Sequence, residues 1–295
     1  MNNVQAIIVT YNPSKDLINN VEMLLPQVNQ LFIIDNGSKA EARHVLEKLD
    51  EQQNVTVQYN ENNLGIASAL NQGVKLALES GCEWVATFDQ DSTTELGYIQ
   101  AMLSQWESCP DNHAKIAMLA PRLVDLEDQH RFHLIQNDAS CRPMKTAFTS
   151  GALVKAEVFS KVGYFRDDYF IDYVDHEFCL RLRKYGYTIM RLGSVYLFHQ
   201  LGSSTKHRLL FFKTNYLVTH HSALRRYTIA RNRLITYKLY ALQEPRWVAA
   251  DAVCWVQEMA KILCWEEEKG TKLLRNVQGI WDGLWGRPVR KYLYK

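Results

Sequence analysis

Across 295 residues the chain has no stretch of eighteen or more uncharged apolar residues, which excludes an obvious membrane-spanning helix. Its opening, M-N-N-V-Q-A-I-I-V-T-Y-N, lacks a basic segment followed by a cleavable apolar one. Both absences make a chain made and kept in the cytoplasm the expectation. None of the six cysteines (Cys82, Cys109, Cys141, Cys179, Cys254 and Cys264) forms a C-x-x-C pair, so a structural zinc site is not expected. Most lie in apolar or helical contexts, where they read as small core residues of a reducing compartment. Neither G-x-G-x-x-G nor G-x-x-x-x-G-K-[ST] occurs, which removes the dinucleotide fingerprint and the phosphate loop with its lysine.

Charge is distributed unevenly. Residues 1–199 carry 17 Lys and Arg against 25 Asp and Glu, whereas residues 200–295 carry 17 against 7. An acidic front and a basic rear point to a tail that faces a negatively charged partner or presents a solvated basic helical face.

The first half alternates short β-branched runs with amphipathic stretches. Strands are expected over 4–10, 30–35, 54–59, 84–89 and 116–121. Helical spacing separates the early ones, in S-K-D-L-I-N-N-V-E-M-L-L-P-Q, A-E-A-R-H-V-L-E-K-L-D-E-Q and I-A-S-A-L-N-Q-G-V-K-L-A-L-E-S-G, the last stopped by Gly81. This βαβ rhythm implies an α/β fold, with a mostly parallel sheet flanked by helices and a ligand site at the carboxyl ends of its strands.

Those ends are polar. The first strand runs out in Thr10, Tyr11 and Asn12, the second in D-N-G-S from Asp35, and the third is followed by N-E-N-N-L-G, which contains Asn63 and Gly65. The fourth, W-V-A-T-F-D-Q-D-S, delivers Asp89 and Asp91. Each motif alone suits a turn or a helix cap. Four in succession favour a shared nucleotide site. Two carboxylates one residue apart repel each other unless a cation compensates them, so D-x-D at a strand end is a natural place for Mg2+ or Mn2+ with open positions for phosphate oxygens.

In this order and at these intervals, A-I-I-V-T-Y-N, I-I-D-N-G-S, N-N-L-G-I-A-S-A-L-N-Q-G and F-D-Q-D-S resemble the nucleotide-binding half of family 2 glycosyltransferases with the GT-A fold. The resemblance continues through T-S-G-A-L-V-K-A-E-V-F-S-K-V-G-Y-F, similar to an acceptor-side segment that includes Gly151, and F-I-D-Y-V-D-H-E-F-C-L-R-L-R-K-Y-G-Y, similar to the segment of the catalytic base. L-F-H-Q-L-G-S-S resembles the stretch whose histidine completes the metal site. The wording is most similar to bacterial rhamnosyltransferases that extend O-antigen or other surface polysaccharides.

That resemblance implies roles for particular residues. Asp35 contacts the nucleobase, with Thr10 and Tyr11 closing over it; Asp89 approaches the ribose and Asp91 the metal, with His199. The base falls at Asp175. Val174 occupies the place of the family's usual first acid and Glu177 that of the second, which leaves Asp172 in competition with Asp175. From the residues alone, Asp175 and Glu177 also suit the start of a helix running to Tyr185, where acids cap and meet the helix dipole. Arg231, in Y-T-I-A-R-N, would neutralise the leaving diphosphate.

From His207 onward long helical stretches are expected, which places a catalytic domain at 1–204 and a helical region at 205–295. Five of the seven tryptophans (Trp247, Trp255, Trp265, Trp281 and Trp285) lie there among basic residues. That mixture suits peripheral contact with a membrane surface at the inner face of the cytoplasmic membrane, or packing on the catalytic core or a twin subunit in a homodimer. The aromatics are too clustered with aliphatics for base-stacking platforms, so no nucleic-acid partner is expected. The expected reaction is inverting, metal-dependent transfer of L-rhamnose from dTDP-β-L-rhamnose, a nucleotide-sugar donor, to a lipid-linked glycan acceptor. A UDP-hexose donor and a catalytically silent sugar-nucleotide-binding assembly partner are the alternatives.

Overall fold

The computed structural model of the protein describes residues 3–110, 112–125, 138, 140–199, 204–208 and 215–290. It divides into two units: Met1–Asp167 with Asp175–Gln200, and Asp168–Val174 with Leu201–Lys295.

The first unit is built on four parallel strands in the order β3-β2-β1-β4, formed by β1 (Val4–Thr10), β2 (Gln30–Asp35), β3 (Val55–Tyr59) and β4 (Trp84–Asp89). The connections run through α1 (Asp16–Leu24), α2 (Ala40–Asp50) and α3 (Ile66–Glu79). Every residue of β1 is buried, as the unbroken run V-Q-A-I-I-V-T requires of a strand covered on both faces. These are the four strands and three helices that the hydrophobic periodicity predicts.

Beyond β4 the sheet becomes mixed. β5 (Ser92–Thr93), α4 (Tyr98–Ser108) and β6 (Ile116–Asp125) follow in the chain, then β7 (Cys141–Met144), β8 (Ala152–Lys155), α5 (Ala156–Val162), α6 (Val174–Lys184) and β9 (Thr188–His199). The fifth expected strand, β6, does not lie beside β4. β8 inserts between them, antiparallel to both, and β9 runs parallel to β6 on the far side. The short β5 turns back against the end of β9, which sets Ser92 opposite His199. Cys109 and Cys141 are joined by a disulfide between the end of α4 and β7. For this pair the reading as separate core thiols gives way, because the sheet brings two positions 32 residues apart into bonding range. Cys82 and Cys179 are buried thiols, as expected.

The second unit opens with a hairpin, β10 (Ser204–Arg208) antiparallel to β11 (Asn215–Thr219). Helix was expected from His207. The β-branched and aromatic content of N-Y-L-V-T favours pairing instead. Helix begins only at α7 (Ala223–Tyr240), where the Ser222 hydroxyl accepts from the Arg225 amide at 3.3 Å. α8 (Pro245–Trp265) starts on a proline at its first turn and α9 (Lys269–Leu284) follows. Against convention, α7 buries arginines 226, 231 and 233 together with Asn232. Arg226 pairs with the buried Glu266, which also holds Lys272 at 2.8 Å. Arg233 pairs with Asp251 at 2.9 Å and Glu258 at 3.0 Å. Among the described residues, no helix is long and apolar enough to cross a membrane.

Candidate active site

The polar strand ends of the first unit are wired to one another. Asp35 is fully buried, and its carboxylate accepts from the Thr10 hydroxyl at 3.2 Å, the Ser38 amide at 3.1 Å and the Ser38 hydroxyl. Ser38 in turn accepts from the Asn12 amide at 2.7 Å, and Asn12 Oδ1 accepts from the Lys39 amide at 2.9 Å. The loop after β3 joins through Asn36, which donates to Asn63 Oδ1 at 3.1 Å and accepts from the Leu64 amide at 2.9 Å, while the Gly65 amide also donates to Asn63. Thus Thr10, Asn12, Asp35, Asn63 and Gly65 form one hydrogen-bonded rim. On it, the exposed groups include the Tyr11 side chain and Asn12. Asn12, Pro13, Lys39, Glu41 and Ala42 line an open hollow of about 430 Å³ on this side.

Asp89 and Asp91 stand at the adjoining end of β4, Asp89 in register with Val9 of β1. Asp89 is half-buried and Asp91 exposed. Gln90, between them, is a tie that the sequence reading passed over. Its Oε1 accepts from the Tyr11 amide at 2.8 Å and its carbonyl from Asn20 at 3.1 Å, so the turn carrying the two acids is fastened to β1 and α1. His199 ends β9 opposite Ser92, one residue from Asp91 in the chain. Its side chain lies outside the described residues. Among the described residues, no three His, Cys, Asp or Glu side chains cluster in a metal-binding arrangement.

Ser150 is the second missed residue. Its hydroxyl accepts from the Asp89 amide at 3.0 Å and lies 2.7 Å from the Ser92 hydroxyl. The turn that presents it is held by Thr87, whose carbonyl accepts from the Gly151 amide at 2.7 Å and whose hydroxyl donates to the Thr149 carbonyl at 2.6 Å. Gly151 has φ +75°, and a Cβ there would sit 2.7 Å from the Tyr98 hydroxyl, so glycine is required on both counts. Ser150 also lines a cleft of about 400 Å³, along with Arg122, Met144, Phe148, His176 and Arg191. Arg122 is paired with Asp138 at 3.2 Å. The cleft therefore adjoins the D-x-D turn through Ser150. No short sequence pattern marks that link, because Ser150 lies 61 residues from Asp89.

Asp175 lies in the first turn of α6, and its Oδ1 accepts from the His176 amide at 2.8 Å. Glu177 is buried and pairs with Arg181 at 3.0 Å, while Arg181 donates to the Val162 carbonyl at 2.8 Å and the Tyr164 carbonyl at 2.7 Å. Glu177 is thus built into the packing of α6. Asp172 belongs to the second unit, where it accepts from Arg225 at 2.6 Å and from the Thr228 hydroxyl at 2.6 Å. Arg231, also in the second unit, is buried and donates to the carbonyls of Asp168 at 3.0 Å and Arg287 at 2.8 Å.

Comparison with known proteins agrees with this architecture. Residues 5–185 match the model of the family described as glycosyl transferase family 2. Over 247 residues, 79% of this chain and 79% of the other, the sequence is 29% identical to a Shigella flexneri protein described as dTDP-rhamnosyl transferase RfbF. Among solved structures, GalNAc-T7 with UDP, GalNAc and Mn2+ superposes with a TM-score of 0.61 at 13% identity. That match takes in 96% of this chain and 56% of the longer GalNAc-T7 chain, and it concerns the fold.

Proposed function

Since the chain belongs to glycosyl transferase family 2 and is a glycosyltransferase, we propose that its reaction is inverting, metal-assisted transfer of L-rhamnose from dTDP-β-L-rhamnose to a hydroxyl of a lipid-linked surface-polysaccharide acceptor. The observation that carries the reading is the D-x-D turn at the end of β4, tied to the nucleotide-side rim through Gln90 and to the adjoining cleft through Ser150. The likeness to a dTDP-rhamnosyl transferase supports the choice of sugar.

In this reading the nucleotide occupies the rim. Asp35 shapes the turn that presents Asn12 and the Tyr11 side chain toward the base, and Asp89 serves the ribose. The donor chemistry fits Mg2+ or Mn2+: two hard carboxylate oxygens on one turn, one of them exposed, with the His199 strand end across from Ser92. When bound, such an ion neutralises charge developing on the departing diphosphate. Asp175 accepts the proton of the attacking hydroxyl, work that a positioned carboxylate performs for roughly 10²–10⁴-fold in rate. This reading assigns the proton transfer to Asp175 rather than Asp172 and gives Arg231 no step, because the hydrogen bonds of Asp172 and Arg231 tie parts of the second unit together. A lipid-linked acceptor places the enzyme at the inner face of the cytoplasmic membrane.

The test is release of nucleoside diphosphate from dTDP-β-L-rhamnose, UDP-galactose and UDP-N-acetylglucosamine, each with Mn2+ and with chelator. Release confined to the dTDP-sugar and abolished by chelation is expected. Release from a UDP-hexose instead would remove the rhamnose assignment, and indifference to chelator would remove the metal.

A further inference from the structure

Both C-terminal helices are turned inside out. On α8 the charged residues Asp251 and Glu258 face inward to Arg233, while Val253, Val256 and Leu263 are more than half exposed. At about 3.6 residues per turn, the exposed positions of α8 cover roughly half its circumference. Ala249, Ala250, Cys254, Gln257, Ala260 and Cys264 complete that band, and after Arg246 its one charge is the half-buried Lys261. On α9 the buried residues are Lys272, Asn276, Gly279, Asp282 and Gly283. Asp282 is held by Arg290 at 2.6 Å and by the Tyr227 hydroxyl at 2.9 Å. Its outward stripe is Leu274, Val277, Trp281, Leu284 and Trp285, spaced to lie on one face and each about half exposed or more. A helix on a water-soluble domain shows the opposite arrangement. Scattered exposed apolar residues are ordinary, but a continuous stripe ending in two neighbouring tryptophan rings, 5.9 Å apart, marks a surface that is covered in use.

We propose that these outward faces insert into the headgroup boundary of a bilayer containing anionic lipid, with α9 as the principal contact. Charge selects this occupant. The exposed Arg246, Lys269 and Arg287 and the half-buried Lys261 and Arg275 accompany the two faces, against the exposed Glu267 and Glu268 in the connection between them, and the chain continues as R-K-Y-L-Y-K from Arg290, which leaves the balance basic. Basic residues beside buried tryptophans match an anionic interface, where the ring lies at the headgroup level and the cation meets phosphate. A pairing seam with a second copy would carry charged flanks that set its register. The flanks on α8 are alanine, cysteine, glutamine and the half-buried Lys261, so they offer one cation and no acid of their own. Depth follows from the absence of a spanning helix among the described residues: α9 lies in the interface plane with its apolar face roughly 5–10 Å into the boundary. The proposal takes only its biological purpose from the lipid-linked acceptor in the reading above, and its evidence is independent of it.

The experiment is co-sedimentation of the full chain with phosphatidylcholine vesicles, with and without phosphatidylglycerol, together with tryptophan quenching by brominated lipid. The variants are Leu274→Ser/Trp281→Ser/Trp285→Ser on α9 and Val253→Ser/Val256→Ser/Leu263→Ser on α8. All six positions are exposed, so both variants should keep native circular dichroism and dTDP affinity. Binding to anionic vesicles that weakens with salt, is quenched by brominated lipid, and falls at least about tenfold in the α9 variant is expected. No sedimentation of the native chain, or equal sedimentation of the α9 variant, overturns the proposal. So does a dimer in sedimentation equilibrium that the same substitutions abolish without any vesicle binding, since the faces would then belong to a second copy. Because no sugar is present, failure here leaves the donor assignment untouched, and failure of the donor panel leaves this result untouched.

Discussion

Gly37 and Asn62 approach so closely that a Cβ on Gly37 would lie 2.6 Å from the carbonyl carbon of Asn62. Gly37 also has φ +84°, a conformation costly for any residue with a side chain. Glycine in D-N-G-S therefore does two things: it closes the turn around the Asp35 carboxylate and lets the loop after β3 dock against it. Gly37→Ala should push the two loops apart, costing about 1–3 kcal/mol in stability and weakening dTDP binding by at least tenfold. Denaturant unfolding and calorimetric titration of dTDP would check both. Unchanged affinity would separate the rim from the nucleotide.

Asp175 and Asp172 are distinguished by what surrounds them. Asp175→Asn keeps the shape of the side chain and removes its basicity, so single-turnover transfer at saturating donor should fall roughly 10²–10⁴-fold with donor affinity and unfolding midpoint unchanged. Asp172→Asn weakens the contact with Arg225 and Thr228 and should cost about 1 kcal/mol of stability with turnover close to native. A silent Asp175→Asn beside an inactive Asp172→Asn would move the base into the second unit.

The ionic interior of the helical unit gives a stability test. Burial works against the Arg233 charge, but Tyr173, Glu258 and Asp251 around it hold its pKa above the ordinary arginine value. Replacing it with methionine takes this cation from Asp251 and leaves Glu258 with Arg226 at 3.6 Å. Arg233→Met should lose about 3–5 kcal/mol, read from denaturant unfolding. A loss below about 1 kcal/mol would mean that Arg226 or water, rather than Arg233, compensates the acids.

His221 provides the pH dependence. Burial, then the charges of Arg225 and Arg226, lower its pKa to about 4, against smaller opposing effects from Asp172 and Glu258. An unfolded histidine titrates near 6.5. Between these values the unfolded chain binds the extra proton, so this contribution to stability is complete above about pH 6.5 and drains away as pH falls toward 4. His221→Gln should flatten the stability profile across that interval, measured by urea midpoints at several pH values. A parallel profile in the variant would assign the acid sensitivity to other groups.

The parallel half of the sheet was legible because its signals are local. V-Q-A-I-I-V-T and W-V-A-T-F-D are continuous apolar runs, and the polar residues that end them belong to the same few turns that close the βαβ units. D-x-D was legible for the same reason: two acids adjacent in the chain stay adjacent in space. Ser150 was not, since its bond to the Asp89 amide depends on β8 slipping between β4 and β6, a pairing settled by the packing of the entire sheet. The Cys109–Cys141 bridge and the β10–β11 hairpin escaped on similar grounds, each joining segments whose meeting no short window encodes.

Spacing alone puts Leu274, Val277, Trp281 and Leu284 on one face of a helix, and Asp251 and Glu258 together on one face of another, because angular position around a helix axis follows from it. Which face points inward was decided by the tertiary structure. Arg226 and Arg233 of α7 are buried cations, and burying a cation is tolerable only when carboxylates accompany it. Glu258 and Asp251 therefore turn in and the apolar stripe turns out, the reverse of what hydrophobic burial on its own would choose.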